Sequence, residues 1–145
     1  MTEPFYLVFP VSDLESTRAF YGVVLGCRLG PGAGARQDLD FFGHHLSAHV
    51  LRRPRDAVGI RDADSAPIPR FGVVLPMGRW RALAARLRSM GIRFLREPEV
   101  KSEGCPDEWG TMFVNDPSGN TLEFRGLTGS RAMADPASEA EVVNG

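Results

Sequence analysis

The sequence contains one pattern twice, and this internal repeat constrains the fold more than any other feature. In each half, a short run of strand-forming residues precedes a helix with one apolar face, and a glycine ends that helix. Tyr6 lies 20 residues before Gly26, and Arg70 lies 21 residues before Gly91. Three further short strands fit after each glycine. The chain is therefore predicted to consist of two β-α-β-β-β modules, an α+β fold in which each helix covers a sheet.

The modules are predicted over about residues 4–51 and 70–127 of a single domain, 1–127. In the first, strands are expected at 5–9, 27–29, 37–42 and 45–51, with a helix that ends near Leu25 and starts at a capping box formed by Ser12 and Glu15. In the second, strands are expected at 70–75, 92–96, 110–115 and 120–126, with a helix over 78–90. Residues 52–69 are predicted to form a linker, and residues 128–145, which contain few large apolar side chains, a disordered tail.

Composition excludes several classes of partner. The 145 residues are 43% hydrophobic and 24% charged, with a formal net charge of −1, so neither nucleic acid nor an anionic membrane is an expected partner. No apolar run approaches the roughly 18–20 residues that span a bilayer. The first residues lack the pattern of a signal peptide, and two cysteines do not make a disulfide framework. A cytoplasmic protein is expected.

Strand alternation predicts which polar side chains share one face of the sheet. Apolar residues at every second position would face the helices. The residues between them would face the opposite side, where a curved sheet forms a cup with its helices on the convex side. This predicted cup set comprises Tyr6, His45, Ser47, His49, Arg70, Thr121, Glu123 and Arg125. Polar groups at the centre of an otherwise apolar sheet are a weak indication of function.

Several motifs resemble the vicinal oxygen chelate superfamily, which includes glyoxalases, bleomycin resistance proteins and extradiol dioxygenases. The first module carries the resemblance in the segment Phe9-Pro10-Val11-Ser12-Asp13-Leu14, in Phe20-Tyr21 and in Leu25-Gly26. The second carries it in Phe71-Gly72-Val73-Val74, Gly91-Ile92, Asp116-Pro117-Ser118-Gly119-Asn120 and Leu122-Glu123-Phe124. The similarity spans about residues 4–127 and implies a cup-shaped binding site.

The resemblance also implies a site at four positions of this sequence. In that superfamily a divalent metal is usually held by histidines at the Tyr6 and Arg70 positions and by a glutamate at the Glu123 position. Glyoxalase-type members add a fourth ligand near the His49 position. Here Tyr and Arg replace both histidines, and an arginine has no lone pair to give a metal. No metal site of the usual kind and no cofactor are therefore predicted.

Three functions fit this divergent cup. The favoured prediction is a metal-independent protein that binds a small organic molecule, anionic or aromatic, and uses His49, Glu123, Tyr6 and Arg70 in proton-transfer chemistry such as isomerisation, cyclisation or elimination. His45, Ser47, Thr121 and Arg125 would add binding contacts. The second is a non-catalytic binder of the bleomycin-resistance type. The third is a dioxygenase or glyoxalase-like metal enzyme with relocated ligands such as His45, His49 and Glu123.

Two structural questions stay open at this point. Arg70 and Glu123 could simply neutralise each other as an ion pair, with His49 a hydrogen-bonded core residue. The exposed sheet edges of a duplicated module favour a homodimer, but the sequence does not tell whether each cup forms within one chain or between two.

Overall fold

Each half of the chain forms one four-stranded sheet with one helical segment. The computed structural model describes residues 3–51 and 60–129. The first module contains β1 (Tyr6–Val11), α1 (Leu14–Arg18), β2 (Arg28–Ala33), β3 (Arg36–Phe41) and β4 (His44–Val50). A hairpin of β5 (Ile60–Arg61) and β6 (Pro67–Ile68) precedes the second module, which contains β7 (Phe71–Pro76), α2 (Met77–Ser89), β8 (Phe94–Lys101), β9 (Trp109–Asn115) and β10 (Thr121–Leu127).

The two sheets have the same topology. Their strand orders are β1-β4-β3-β2 and β7-β10-β9-β8. In each, the first strand is parallel to the last, and the other neighbours are antiparallel. The predicted fold class, two βαβββ modules with curved mixed sheets, is confirmed.

The first helix begins differently from its prediction but ends where it was predicted to end. Its N-cap is Asp13, whose Oδ1 accepts a hydrogen bond from the backbone N–H of Ser16 at 2.8 Å. The predicted capping box of Ser12 and Glu15 is therefore wrong, because the neighbouring carboxylate takes the capping role. The α-helix is short, and a π-helical segment over Ala19–Val24 continues it to the turn at Gly26.

A single hydrophobic core joins the two modules. It contains buried residues from both sheets and from α2. The Phe41 ring of the first module lies 5.8 Å from that of Phe71 and 6.3 Å from that of Phe124, both in the second. At the edge of this core, the hydroxyl of Tyr21 donates to Oδ2 of Asp116 at 2.8 Å, and both residues are buried. The modules therefore pack as one unit.

The second helix is positioned by its tryptophan. Trp80 is 2% exposed and donates from Nε1 to the carbonyl oxygen of Phe124 at 2.8 Å. Its indole lies across Gly110 and Gly126, which pair with each other in β9 and β10. A Cβ at either glycine would lie within 2.8 Å of Trp80 atoms. Only glycine leaves room for the ring at both positions.

The predicted linker and tail are only partly covered by the described residues. Residues 52–59 of the linker and 130–145 of the tail lie outside them. Residues 60–69 contain the β5–β6 hairpin, which the sequence did not predict. Thr128 donates from Oγ1 to the carbonyl oxygen of Glu108 at 2.6 Å. Within the described part of the chain, no helix is long and apolar enough to cross a bilayer.

Candidate functional site

The second module presents an arginine and a glutamate in direct contact. Nε of Arg70 donates to Oε1 of Glu123 at 2.8 Å, while Oε2 of Glu123 accepts from Oγ1 of Thr111 at 2.9 Å. Nε of Arg125 lies 3.8 Å from the same Oε2. The side chains of Arg70 and Glu123 are 25% and 19% exposed, so both stay within reach of solvent. The hydrogen bond to Glu123 is the main reason that the pKa of Arg70 is raised further above its ordinary value. Arg70 is therefore a fixed positive charge on this face.

The β5–β6 hairpin contacts the same arginine. Nη1 of Arg70 donates to Oδ2 of Asp62 at 2.9 Å and to the carbonyl oxygen of Pro67 at 3.3 Å. A second arginine of the sheet, Arg96, donates to the backbone carbonyl of Asp64 at 3.3 Å. The hairpin therefore lies against the cup face of this module, and Ala66 at its turn is 2% exposed.

The two arginines that contact the hairpin both lie against one phenylalanine ring. The guanidinium carbons of Arg70 and Arg96 are 5.0 and 4.7 Å from the centre of the Phe113 ring. Phe113 pairs with Glu123 in the β9–β10 ladder and is 3% exposed. An arginine above an aromatic face gains cation–π attraction, while its N–H groups, which point outward in the plane of the guanidinium, stay available for hydrogen bonds. Phe113 thus holds Arg70 in place.

The first module carries a different polar cluster, built around Asp38. Oγ of Ser47 donates to Oδ1 of Asp38 at 2.7 Å and lies 3.0 Å from Nε2 of His49. Nε2 of His45 is 3.5 Å from Oδ2 of Asp38, and the Tyr6 and His45 rings meet edge to face at 4.9 Å. The hydrogen bond from Ser47 is the main reason that the pKa of Asp38 is below its ordinary value. The hydroxyl of Ser47 therefore links the carboxylate of Asp38 to the ring of His49.

Strand register shows which positions of the two modules are equivalent. Ser47 pairs with Val8 in the first module, as Glu123 pairs with Gly72 in the second. His49 pairs with Pro10, as Arg125 pairs with Val74. With Tyr6 and Arg70 as the equivalent positions of the repeat, Val8 corresponds to Gly72. The counterpart of Glu123 is then Ser47, and His49 lies two residues further along the strand. His49 and Glu123, both predicted as site residues, are therefore not at equivalent positions of the two modules.

The predicted cup residues thus separate into two groups. Tyr6, His45, Ser47 and His49 lie together in the first module, and Arg70, Glu123 and Arg125 lie together in the second. Thr121 is buried and donates to Oδ1 of Asn115 at 2.8 Å. The catalytic and binding roles assigned to these residues stay predictions.

The residues present do not fit the metal that the fold family implies. Arg70 has no free lone pair, and both carboxylate oxygens of Glu123 already accept hydrogen bonds. Over residues 3–51 and 60–129, no three or more His, Cys, Asp or Glu side chains are arranged to hold a metal ion. His45, His49 and Glu123, the predicted relocated ligands, are not grouped as a three-ligand site.

Two cavities meet at Arg70. The smaller, about 220 Å³, lies over the cup face and is lined by Arg70, Glu123 and Arg125 together with β7. The larger, about 560 Å³, lies between β1, the β5–β6 hairpin and the β9–β10 turn. Its volume is within the range of small-molecule sites, and most of its walls are apolar.

Comparison with solved structures assigns the family. A glyoxalase/bleomycin resistance protein/dioxygenase from Alicyclobacillus acidocaldarius is 30% identical, with a TM-score of 0.74 over 92% of this chain and 97% of that one. The chain belongs to the glyoxalase/bleomycin resistance/dioxygenase family, and so to the vicinal oxygen chelate superfamily. The sequence matches no family model and no curated protein.

Two more distant structures share the fold. TioX from Micromonospora sp. ML1 is 18% identical, with a TM-score of 0.61 over 87% of this chain and 99% of that one. The fosfomycin resistance protein FosX from Listeria monocytogenes is 12% identical, with a TM-score of 0.62 over 89% and 94%. At these identities the likeness concerns the fold alone.

Sequence reasoning missed the residues that hold the predicted set in place. Asp62 lies in the segment predicted as a linker, yet it contacts Arg70. Asp38 accepts a hydrogen bond from Ser47, and Thr111 donates one to Glu123. Strand alternation places both residues on the cup face of their sheets. Extending that alternation to β3 and β9 would have identified both.

Proposed function

We propose that this protein binds a small organic anion in its cup without a metal ion and transfers a proton to or from it. One observation supports this most directly: Arg70 carries a permanent positive charge at a position where the resemblance expects a metal-binding histidine. A guanidinium can take the place of a metal as the cationic group that holds a carboxylate, enolate or phenolate.

The proton-transfer groups are proposed from the first module. An imidazole is the side chain best suited to proton exchange near neutrality, and Oγ of Ser47 holds that of His49 through a 3.0 Å contact with Nε2. Tyr6 is 57% exposed and has no hydrogen-bond partner among the described residues, so its hydroxyl is available to a ligand. Glu123 is a second candidate base, although its two oxygens are engaged by Arg70 and Thr111.

We further propose that the cup is completed in a homodimer located in the cytoplasm. Tyr6, Val8 and Val74 are 57%, 47% and 47% exposed on the cup sides of β1 and β7. Large apolar groups exposed on one face favour contact with a ligand or a second protein surface. A dimer that brought the first module of one protomer against the second module of the other would unite the two polar groups.

The test is the affinity for a panel of small aromatic and aliphatic acids, measured by calorimetry and ligand-observed NMR. Arg70→Ala should weaken binding of any acid found by at least about tenfold, the value of one charged hydrogen-bonded contact. Arg79→Ala is the matched control, because Arg79 is exposed and away from the cup face. Equal affinity of the parent protein and Arg70→Ala would overturn the role of Arg70.

Metal content tests the alternative function, a metal enzyme with relocated ligands. Untagged protein purified without chelators would be analysed for metal and titrated with Fe(II), Mn(II), Ni(II), Co(II) and Zn(II). One tightly bound ion per chain, lost on mutation of Glu123 or His49, would overturn the proposal. Acid recovered unchanged after prolonged incubation would restrict the proposal to binding.

A further inference from the structure

The two carboxylate oxygens of Asp62 have different partners, one within its own hairpin and the other in Arg70. Oδ1 accepts from the backbone N–H groups of Asp64 and Ala66 at 2.9 and 3.0 Å. Oδ2 points out of this turn and accepts from Nη1 of Arg70 at 2.9 Å. One oxygen therefore shapes the turn, while the other is presented to Arg70 as a ligand carboxylate would be.

The contact between Asp62 and Arg70 is open to competition. The two side chains are 28% and 25% exposed, and an ion pair of this exposure contributes little net free energy because water and salt screen it. Arg70 also keeps its second bond, from Nε to Glu123, when Nη1 changes partner. An incoming carboxylate can therefore replace Asp62 without leaving Arg70 unpaired.

The hairpin that carries Asp62 also forms one wall of the larger cavity. Ile60, Pro67 and Ile68 line that cavity on the hairpin side, and Leu7, Phe71 and Leu95 line it from the two sheets. Arg70 is at its boundary. An organic acid on Arg70 thus has an apolar space of about 560 Å³ next to its carboxylate.

We propose that Asp62 is an internal substitute for a ligand carboxylate. The ligand is a small organic acid with an apolar body. It takes Nη1 of Arg70 from Asp62 and so loosens the β5–β6 hairpin, which Arg96 still holds through the carbonyl oxygen of Asp64, and it places its body in the cavity that the hairpin walls. This inference rests on the proposed function, because it requires Arg70 to bind the anion. It goes further by assigning the apolar part of the ligand and the residue that competes with it.

The decisive variant is Asp62→Asn. Asparagine keeps an Oδ1 acceptor for the turn but has no negative charge for Arg70. The matched control is Asp64→Asn, because the carboxylate of Asp64 makes no described contact and only its backbone carbonyl meets Arg96. Benzoate and cinnamate serve as probes, titrated into the parent protein and both variants, whose folding is checked by thermal unfolding.

We expect Asp62→Asn to bind both probes about fivefold more tightly than the parent, the most that a screened ion pair is worth, and Asp64→Asn to bind them within twofold of it. Hydrogen exchange of the peptide covering residues 60–69 should be faster in Asp62→Asn without ligand, and in the parent once a probe is bound. If the parent binds the probes and Asp62→Asn gains nothing, the inference fails while the anion site stands. If no variant binds either acid, the anion site fails and the inference falls with it.

Discussion

Gly72 and Glu123 are paired so closely across β7 and β10 that no side chain fits at position 72. A Cβ built there would overlap the backbone carbonyl oxygen of Glu123. Because the obstacle is backbone, a larger residue can be accommodated only if the strands separate. This close approach brings the carboxylate of Glu123 to the strand that follows Arg70.

Gly72→Ala should therefore lower the free energy of unfolding by at least about 3 kcal/mol, above the usual cost of an overpacked position. Gly78→Ala is the control. Position 78 is in α2 with nothing within 4 Å of a built Cβ, so alanine should stabilise by about 0.5–1 kcal/mol. Urea unfolding of both variants measures the difference, and similar stabilities for the two would contradict the close pairing.

Ser47→Ala tests the cluster in the first module. Loss of the hydrogen bond to Asp38 should cost about 1–2 kcal/mol at neutral pH, because a largely covered carboxylate loses its closest donor. The folded-state pKa of Asp38 is below its ordinary value of 3.8, so this stabilisation is present above pH 3.8 and is lost as pH falls through the lower folded-state pKa. Unfolding measured at pH 7 and near pH 3 should show the difference between parent and variant shrinking at acid pH. A constant difference would show that the charge of Asp38 is not involved.

The two cysteines should differ in reactivity. Burial raises the pKa of the Cys27 thiol to about 11, so at pH 8 only about one molecule in a thousand carries the thiolate there. Cys105 is exposed. Iodoacetamide at pH 8 should modify Cys105 at least about a hundredfold faster than Cys27. Peptide mass spectrometry over time gives both rates, with Cys105→Ser isolating the slow one, and equal rates would show that Cys27 is more accessible than its packing indicates.

Val74→Glu tests the proposed homodimer. Position 74 is on the cup side of β7 and is 47% exposed, so a charge there should change the stability of the chain by less than about 0.5 kcal/mol. At a dimer interface, the same charge should weaken association by at least tenfold in sedimentation velocity. Val23→Glu, at a 61% exposed position of the π-helical segment, should leave association unchanged. A parent protein that is monomeric at high concentration would refute the dimer directly.

The internal repeat was enough to predict most of the fold from the sequence. Its two glycines, Gly26 and Gly91, end the helical segments with φ angles of 76° and 73°, as their spacing predicts. Alternation also predicted the core face, because the apolar positions of β4 and β10, such as Leu46 and Leu122, are buried, although Ser47 and Thr121 on the opposite face are buried as well. Periodicity is a local property that a chain displays before it folds.

The contacts that organise the site could not be read in this way. Asp62 reaches Arg70 only because residues 60–69 form a hairpin against the sheet, and charged residues between prolines carry no periodic signal for such a position. The cross-strand neighbour of His49 also depends on strand register. A pairing shifted by two residues keeps the same side chains on the same face but gives each of them a different neighbour. Alternation identifies the face, and only the pairing identifies the neighbour.

The buried contact between Tyr21 and Asp116 shows how far the two halves have diverged. Tyr21 lies five residues before Gly26, and the residue five before Gly91 is Arg86. Arg86 donates to the carbonyl oxygens of Val23 and Val24 at 2.9 Å each, so it does not repeat the tyrosine's contact. A first half replaced by a copy of the second would lack Tyr21, and a second half replaced by a copy of the first would lack Arg86, so each exchange removes a contact that joins the modules. The two modules are therefore complementary and not interchangeable, and neither can be replaced by a second copy of the other without loss of a contact between them.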